Sequence, residues 1–216
     1  MTVDLARYRH ISFDLDGTLV HTIAAYRHRV TPRAVAALGG RTPTTEIVDQ
    51  FWFEASRDRV IREEFGLDPT IFWKHFHTID TPADRAAHTT AYPDAEPALR
   101  RLRVMGKIIS ILTGAPHYVA QLEIEKLNGA PYDFFLSLTD GGFPEKPNPK
   151  SFHVALEKLA CTPAETLYIG NSNEDALYAK NVGADFIYLE RKEHPFDLRS
   201  YAIATIHSLD QLCAAL

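Results

Sequence analysis

Apolar residues along this chain fall into two spacings. Ile11 and Phe13 flank Ser12 in strict alternation. Short apolar runs follow at Ile108-Ile109-Ser110-Ile111-Leu112, Phe134-Phe135-Leu136, Thr166-Leu167-Tyr168-Ile169 and Phe186-Ile187-Tyr188-Leu189. Runs of this kind predict buried strands. Between them, residues 94–105, 116–127, 149–159 and 173–182 carry helix-compatible patterns. Strands alternating with helices predict an α/β fold, a Rossmann-like parallel sheet with helices on both faces.

The alternation breaks once. From about residue 23 to 91 there is no strand pattern, only helix-like stretches punctuated by Thr31-Pro32, Gly39-Gly40, Thr42-Pro43, Gly66, Asp68-Pro69 and Thr81-Pro82. A helical insertion is expected there. Trp52 and Trp73 lie in it with Phe51, Phe53, Phe65, Phe72 and Phe76, and aromatic residues so spaced predict a small core of its own rather than ligand contacts. The expected division is a core domain from residues 1–20 and 92–216 and a helical domain from residues 21–91.

Composition adds limits to this picture. The chain has 216 residues, 45% hydrophobic and 24% charged, which excludes a disordered or collagen-like chain and leaves room for one large core plus a smaller module. The formal net charge of -5 gives no general electrostatic footprint for nucleic acid. Cys161 and Cys213 are too few and too far apart for a disulfide framework, so both are read as buried thiols in a reducing compartment. No apolar run reaches membrane-spanning length and residues 1–10 lack a secretory pattern, so a cytoplasmic protein without a membrane partner is expected.

Ligands of an open parallel sheet gather beyond the carboxyl ends of its strands. Four reactive segments follow the predicted strands: Asp14-x-Asp16-Gly17-Thr18, Thr113-Gly114, Lys146-Pro147-Asn148-Pro149 and Gly170-Asn171-Ser172-Asn173-Glu174-Asp175. Taken singly, each also has a structural explanation, as a turn, a strand exit, a solvated loop or a helix cap. In this order and context the four resemble the motifs of the haloacid dehalogenase superfamily, in its phosphoglycolate-phosphatase-like branch. The resemblance covers essentially the whole chain. It includes the helical insertion, where that branch carries a cap, and Tyr92-Pro93-Asp94 before a helix.

The resemblance implies a Mg2+-dependent phosphatase acting on a small phosphorylated metabolite through an aspartyl-phosphate. It makes Asp14 the nucleophile and Asp16 the general acid and base. Thr18, Thr113, Gly114 and Lys146 would contact the phosphoryl group, and Lys146 would also supply fixed positive charge. The metal would be held by Asp14, Asp16, Asn171 and Asp175. A sugar-phosphate mutase carries the same four motifs and stays open as an alternative; Asn171 stands where the pattern has an acid, which removes a negative charge and leaves open a catalytically weakened binding or regulatory protein. Asp16 itself argues for phosphoryl transfer over dehalogenation. The insertion has only Lys74 to offer as a Schiff-base lysine, which argues against phosphonate cleavage. His21 and His117 lie near the first two motifs, and Arg27, Arg29, Arg57 and Arg59 lie in the insertion. Each is either a substrate contact or an ordinary surface or packing residue. The oligomeric state and the residues that select a substrate have no signature in the chain.

Overall fold

The computed structural model describes residues 3–53, 57–139, 142–193 and 198–213, and of Cys213 the backbone alone. In chain order, β1 (His10–Phe13) and β2 (Val20–Thr22) precede the helices α1 (Ala24–Ala37), α2 (Thr45–Phe53) and α3 (Arg57–Val60), the last continued by a π-helical turn at Ile61–Phe65. Then come α4 (Pro69–Ile79), α5 (Pro82–His88) and β3 (Thr89–Ala91). The remainder runs α6 (Ala95–Val104), β4 (Ile108–Thr113), α7 (His117–Glu125), β5 (Phe134–Ser137), α8 (Lys150–Leu159), β6 (Thr166–Gly170), α9 (Asn173–Val182), β7 (Asp185–Leu189), β8 (Ala204–Ile206) and α10 (Leu209–Cys213).

The chain divides into two units, Met1–His21 with Thr90–Leu216, and Thr22–Thr89. In the first, a six-stranded sheet has the order β5-β4-β1-β6-β7-β8, and every neighbouring pair is parallel. All five strands read from the sequence are present, and so are the four helices. The short edge strand β8 was not legible, because Ala204-Thr205-Ile206 offers a single large apolar residue. The expectation that residues 23–91 hold no strand is corrected at β3, which pairs with β2 in a separate two-stranded sheet. Thr89-Thr90-Ala91 has only a three-residue strand's worth of β-branched side chains, too short for a period to show.

Strand alternation splits the sheet's side chains between two cores. Ile11, Phe13, Ile109, Ile111, Leu167, Ile169, Ile187 and Leu189 pack on one face with Leu99 and Leu102 of α6 and Leu209 and Leu212 of α10. On the other, Leu112, Tyr168, Phe186 and Tyr188 pack with Phe152 and Leu156 of α8 and Tyr178 and Val182 of α9. The second unit has its own core, in which Phe51, Trp52, Phe65, Phe72 and Phe76 meet Tyr26, Val30 and Val35 of α1. Rings of Phe51 stand 5.5 Å from Phe72 and 5.6 Å from Phe76 in edge-to-face contact, the packing expected of them.

Chain order fixes where a ligand belongs. From β1 the sheet grows to β4 and β5 on one side and to β6, β7 and β8 on the other, so the strand order reverses at β1 and the crevice lies beyond its carboxyl end.

Toward the opposite, amino end of β1, polar side chains cross three strands. His10 is fully buried, its Nδ1 3.0 Å from Thr166 Oγ1 on β6 and its Nε2 2.8 Å from Ser110 Oγ on β4, which bonds Ser12 Oγ at 2.8 Å. Burial lowers the His10 pKa to about 4. The unfolded chain therefore takes up a proton near pH 6.5 that the native state refuses until about pH 4, so stability from this group is complete above pH 6.5 and declines as pH falls through that window. The loss amounts to roughly 3 kcal/mol. Urea unfolding at several pH values should show a steeper acid loss for the wild type than for His10→Gln. Equal slopes would show that His10 is not the group responsible.

Candidate active site

Four loops beyond the carboxyl ends of β1, β4, β5 and β6 carry the candidate residues. Asp14 directly follows β1, and its N–H donates to the Ile169 carbonyl (2.9 Å), which extends the β1–β6 ladder by one residue and fixes where the carboxylate starts. The chain then turns tightly. The N–H groups of Thr18, Leu19 and Val20 all donate to the Leu15 carbonyl, and Gly17 N–H donates to the Val20 carbonyl at 2.7 Å. Gly17 has φ +80°, and a Cβ there would stand 2.1 Å from Asn171 Nδ2, so the position demands glycine both for its backbone and for the close approach of the β6 loop.

The turn places two oxygens about one hydroxyl. Thr18 Oγ1 lies 3.2 Å from Asp14 Oδ2 and 3.4 Å from Asn171 Oδ1, and all three residues are buried. From the other side, Lys146 Nζ donates to Asp14 Oδ1 at 2.7 Å, to Tyr168 Oη at 2.8 Å and to Asp175 Oδ1 at 3.0 Å. Those three bonds use every proton of the ammonium. Burial opposes the charge on Lys146, yet Asp14 and Asp175 outweigh it and hold its pKa well above the ordinary value. Asp14 is the converse case. Its burial, against the pull of Lys146 and with Asp175 and Asp16 nearby, raises its carboxyl to about 7.

Asp175 sits one turn into α9 and closes a capping box with Ser172, which anchors the helix that follows the fourth motif. Its Oδ2 accepts from the Asn171 and Ser172 N–H groups (both 3.2 Å) and from Ser172 Oγ (2.8 Å), while Oδ1 accepts from Lys146 and from the Tyr168 hydroxyl at 3.1 Å. Five donors on one carboxylate fill its lone-pair directions. The fit is close: a Cβ at Gly170 would meet the Asp175 Cγ at 2.5 Å.

The other candidates take less intimate places. Thr113 ends β4, buried, with its Oγ1 accepting from Ala115 N–H (3.1 Å), and Gly114 beside it is exposed. Asp16 is half-buried and bridges to Val20. His117 opens α7 on the surface, and His21 stacks on Tyr92 and pairs with Glu193 at 3.3 Å. In the second unit Arg27 is buried against Asp49 (2.7 Å) and the Thr22 carbonyl, Arg29 pairs with Asp84, Arg57 donates to the Trp52 carbonyl, and Arg59 pairs with Glu63. Cys161 is a buried free thiol, and the Cys213 side chain lies outside the described residues.

Tyr168 is the site residue that the sequence reading missed. It looked like one more apolar strand position. The register that sets it beside Ser12 on β1 turns its hydroxyl to Lys146, and the only signal was a hydroxyl in an otherwise aliphatic run.

A hard divalent cation fits the oxygens present. Among the described residues no group of three or more His, Cys, Asp or Glu gathers as a metal cluster. What faces the turn is one carboxylate oxygen of Asp14 and the amide oxygen of Asn171, a sparse all-oxygen set suited to an ion that keeps several of its waters.

Residues 8–183 match the family model of haloacid dehalogenase-like hydrolases. The chain is 31% identical over 211 residues to a phosphoglycolate phosphatase of Rhodobacter capsulatus, covering 93% of each chain. It is also 31% identical to a phosphoglycolate phosphatase of Cereibacter sphaeroides, over 85% of this chain and 86% of that one. Among solved structures, a haloacid dehalogenase family hydrolase from Deinococcus radiodurans with bound phosphate and sodium superposes with a TM-score of 0.73 at 22% identity, over 97% of this chain and 95% of that one. The protein is thus a hydrolase of the phosphatase type. It belongs to the haloacid dehalogenase-like hydrolase family.

Tyr168→Phe keeps the ring packed on Phe152 and Tyr178 but strips a partner from both Lys146 and Asp175. Urea unfolding is expected to show a loss of about 1–3 kcal/mol. A variant as stable as the wild type would mean that the hydroxyl's bonds to Lys146 and Asp175 carry no weight.

Proposed function

We propose that this hydrolase removes the phosphoryl group of a small phosphorylated metabolite by way of a covalent aspartyl-phosphate on Asp14, with Mg2+ as its metal and with residues 22–89 as the cap that selects the substrate. The observation that carries the reading is the Asp14 carboxylate, buried at the switch point of the sheet with one oxygen on Lys146 and the other on the Thr18 hydroxyl, which also lies beside Asn171 Oδ1. Family membership and the phosphoglycolate phosphatase names of the relatives support it.

In this reading the Asp14 carboxylate attacks phosphorus and the bond to the leaving oxygen breaks. Asp16, two residues on, gives that oxygen its proton and later takes one from the water that hydrolyses the acyl phosphate. Thr18 and Thr113 hydroxyls hold the phosphoryl oxygens. Lys146 acts through Asp14: its protons are spent on Asp14, Tyr168 and Asp175, so it fixes and charges the nucleophile and is not itself the phosphate ligand. Asp175, expected among the metal ligands, is reassigned as the residue that positions Lys146 and the β6 loop, because its oxygens already accept five hydrogen bonds. The metal would be held by Asp14, by Asn171 and by the main-chain carbonyl of Asp16. When bound it supplies the positive charge that lets a carboxylate approach an anionic phosphate.

Two measurements test the reading. With p-nitrophenyl phosphate and Mg2+, Asp14→Asn should abolish turnover in a folded protein, and Asp16→Asn should lower it by about 10²–10⁴-fold. Activity retained in Asp14→Asn would refute the covalent route, and conversion of a hexose phosphate to its positional isomer would make the enzyme a mutase. Separately, Asn171→Asp places a second carboxylate at the turn, and calorimetric titration should then show tighter Mg2+ binding than wild type. Unchanged affinity would remove Asn171 from the metal's surroundings.

A further inference from the structure

Tyr92-Pro93-Asp94 stands out in the sequence and has no part in the chemistry above. Its neighbours give it one. Asp94 precedes α6 and forms a two-pronged pair with Arg191, Nη1 to Oδ2 and Nη2 to Oδ1, both 2.9 Å. Arg191 follows β7 and is almost entirely shielded from solvent. Asp94 Oδ2 also accepts from the Ser208 hydroxyl and from Leu209 N–H, each at 2.9 Å, so the carboxylate that holds the guanidinium is itself fixed by the segment that opens α10.

The same Nη2 donates at 2.9 Å to the Thr18 main-chain carbonyl. One residue on, the Leu19 carbonyl accepts from Tyr92 N–H at 3.0 Å. The Tyr92 ring has the Arg191 guanidinium 3.8 Å from its centroid and the His21 ring stacked at 4.4 Å. Two groups that close cannot share a face, so Tyr92 is sandwiched between them. Its hydroxyl donates to Glu193. The turn that carries Asp16 and Thr18 therefore has its internal bonds to Leu15 and Val20, and its outward carbonyls are fastened at Thr18 and Leu19 to this cluster.

From this geometry we propose that Arg191, held by Asp94 and Tyr92, is a positioning residue that sets the turn bearing the Asp16 carboxyl and so determines how well Asp16 protonates the leaving oxygen. The proposal rests on the phosphatase reading for its chemistry and on the structure alone for the turn. Arg191 bonds the backbone of Thr18, and its effect passes through that backbone. A guanidinium suits the task because its planar fork meets a carboxylate with two parallel bonds and still has a donor for the carbonyl, which an ammonium cannot reproduce.

The test compares wild type, Arg191→Gln and Arg191→Lys on two esters of similar size, phenyl phosphate and p-nitrophenyl phosphate, with hydrogen exchange of the Gly17 and Val20 amides measured on the same proteins. Phenolate leaves poorly without a proton and nitrophenolate leaves well, so kcat/KM for phenyl phosphate should fall about 10²-fold in Arg191→Gln while that for p-nitrophenyl phosphate falls no more than about threefold. Amide exchange in the turn should quicken. Arg191→Lys, which keeps the charge without the fork, should show the same ester asymmetry, and it serves if the glutamine variant does not fold. Equal losses on the two esters would reduce Arg191 to a structural role and overturn the proposal, as would unchanged exchange. A wild type inert toward both esters refutes the phosphatase reading and with it the role toward Asp16, while exchange still decides whether Arg191 holds the turn.

Discussion

A single buried ammonium organises the site. Lys146 lies among Asp14, Asp175 and Tyr168, and each group is costly in that position without the others. Two carboxylates out of water near each other would repel and take up protons. A lysine out of water would lose its charge. Together, each offsets part of the others' cost: the ammonium keeps its charge between the two carboxylates, while burial still raises the Asp14 carboxyl above its ordinary range.

The sheet makes this arrangement reachable. Asp14, Asn171 and Thr113 belong to β1, β6 and β4, three adjacent parallel strands whose carboxyl ends are level by register. Residues far apart in the chain thereby share one edge. The glycines then set the fine distances. With any side chain at 17 or 170, the β6 loop would be pushed off Asp14 or Asp175 off its amides. The capping box of α9 places Asp175 as a by-product of starting a helix, so one carboxylate both ends an exposed row of N–H groups and anchors the lysine.

The replacement of an acid by Asn171 takes its meaning from these contacts. Its amide oxygen faces the Thr18 hydroxyl and its amide nitrogen lies over Gly17. A neutral side chain fits that place without adding to the negative charge already gathered about Lys146. In the proposed metal set, Asp14 would then be the one side-chain carboxylate.

Much of this was legible in the chain. Apolar runs showed five of the six strands of the sheet and the helices between them, because strands packed into such a sheet are written largely in apolar residues. The order of the four reactive segments marked the candidate residues, because strand ends are where such a sheet exposes loops. Only tertiary structure decided what each residue does with its neighbours. Asp175 read as a ligand and is saturated by amides, a lysine and a tyrosine; Tyr168 read as core and bonds the lysine; Arg191 had no signal, yet it holds the Thr18 carbonyl. The physical reason is common to all three. Periodicity records whether a position is buried, while hydrogen-bond partners are set by the register of strands and by loop paths that bring distant residues within about 3 Å, a distance no local pattern encodes.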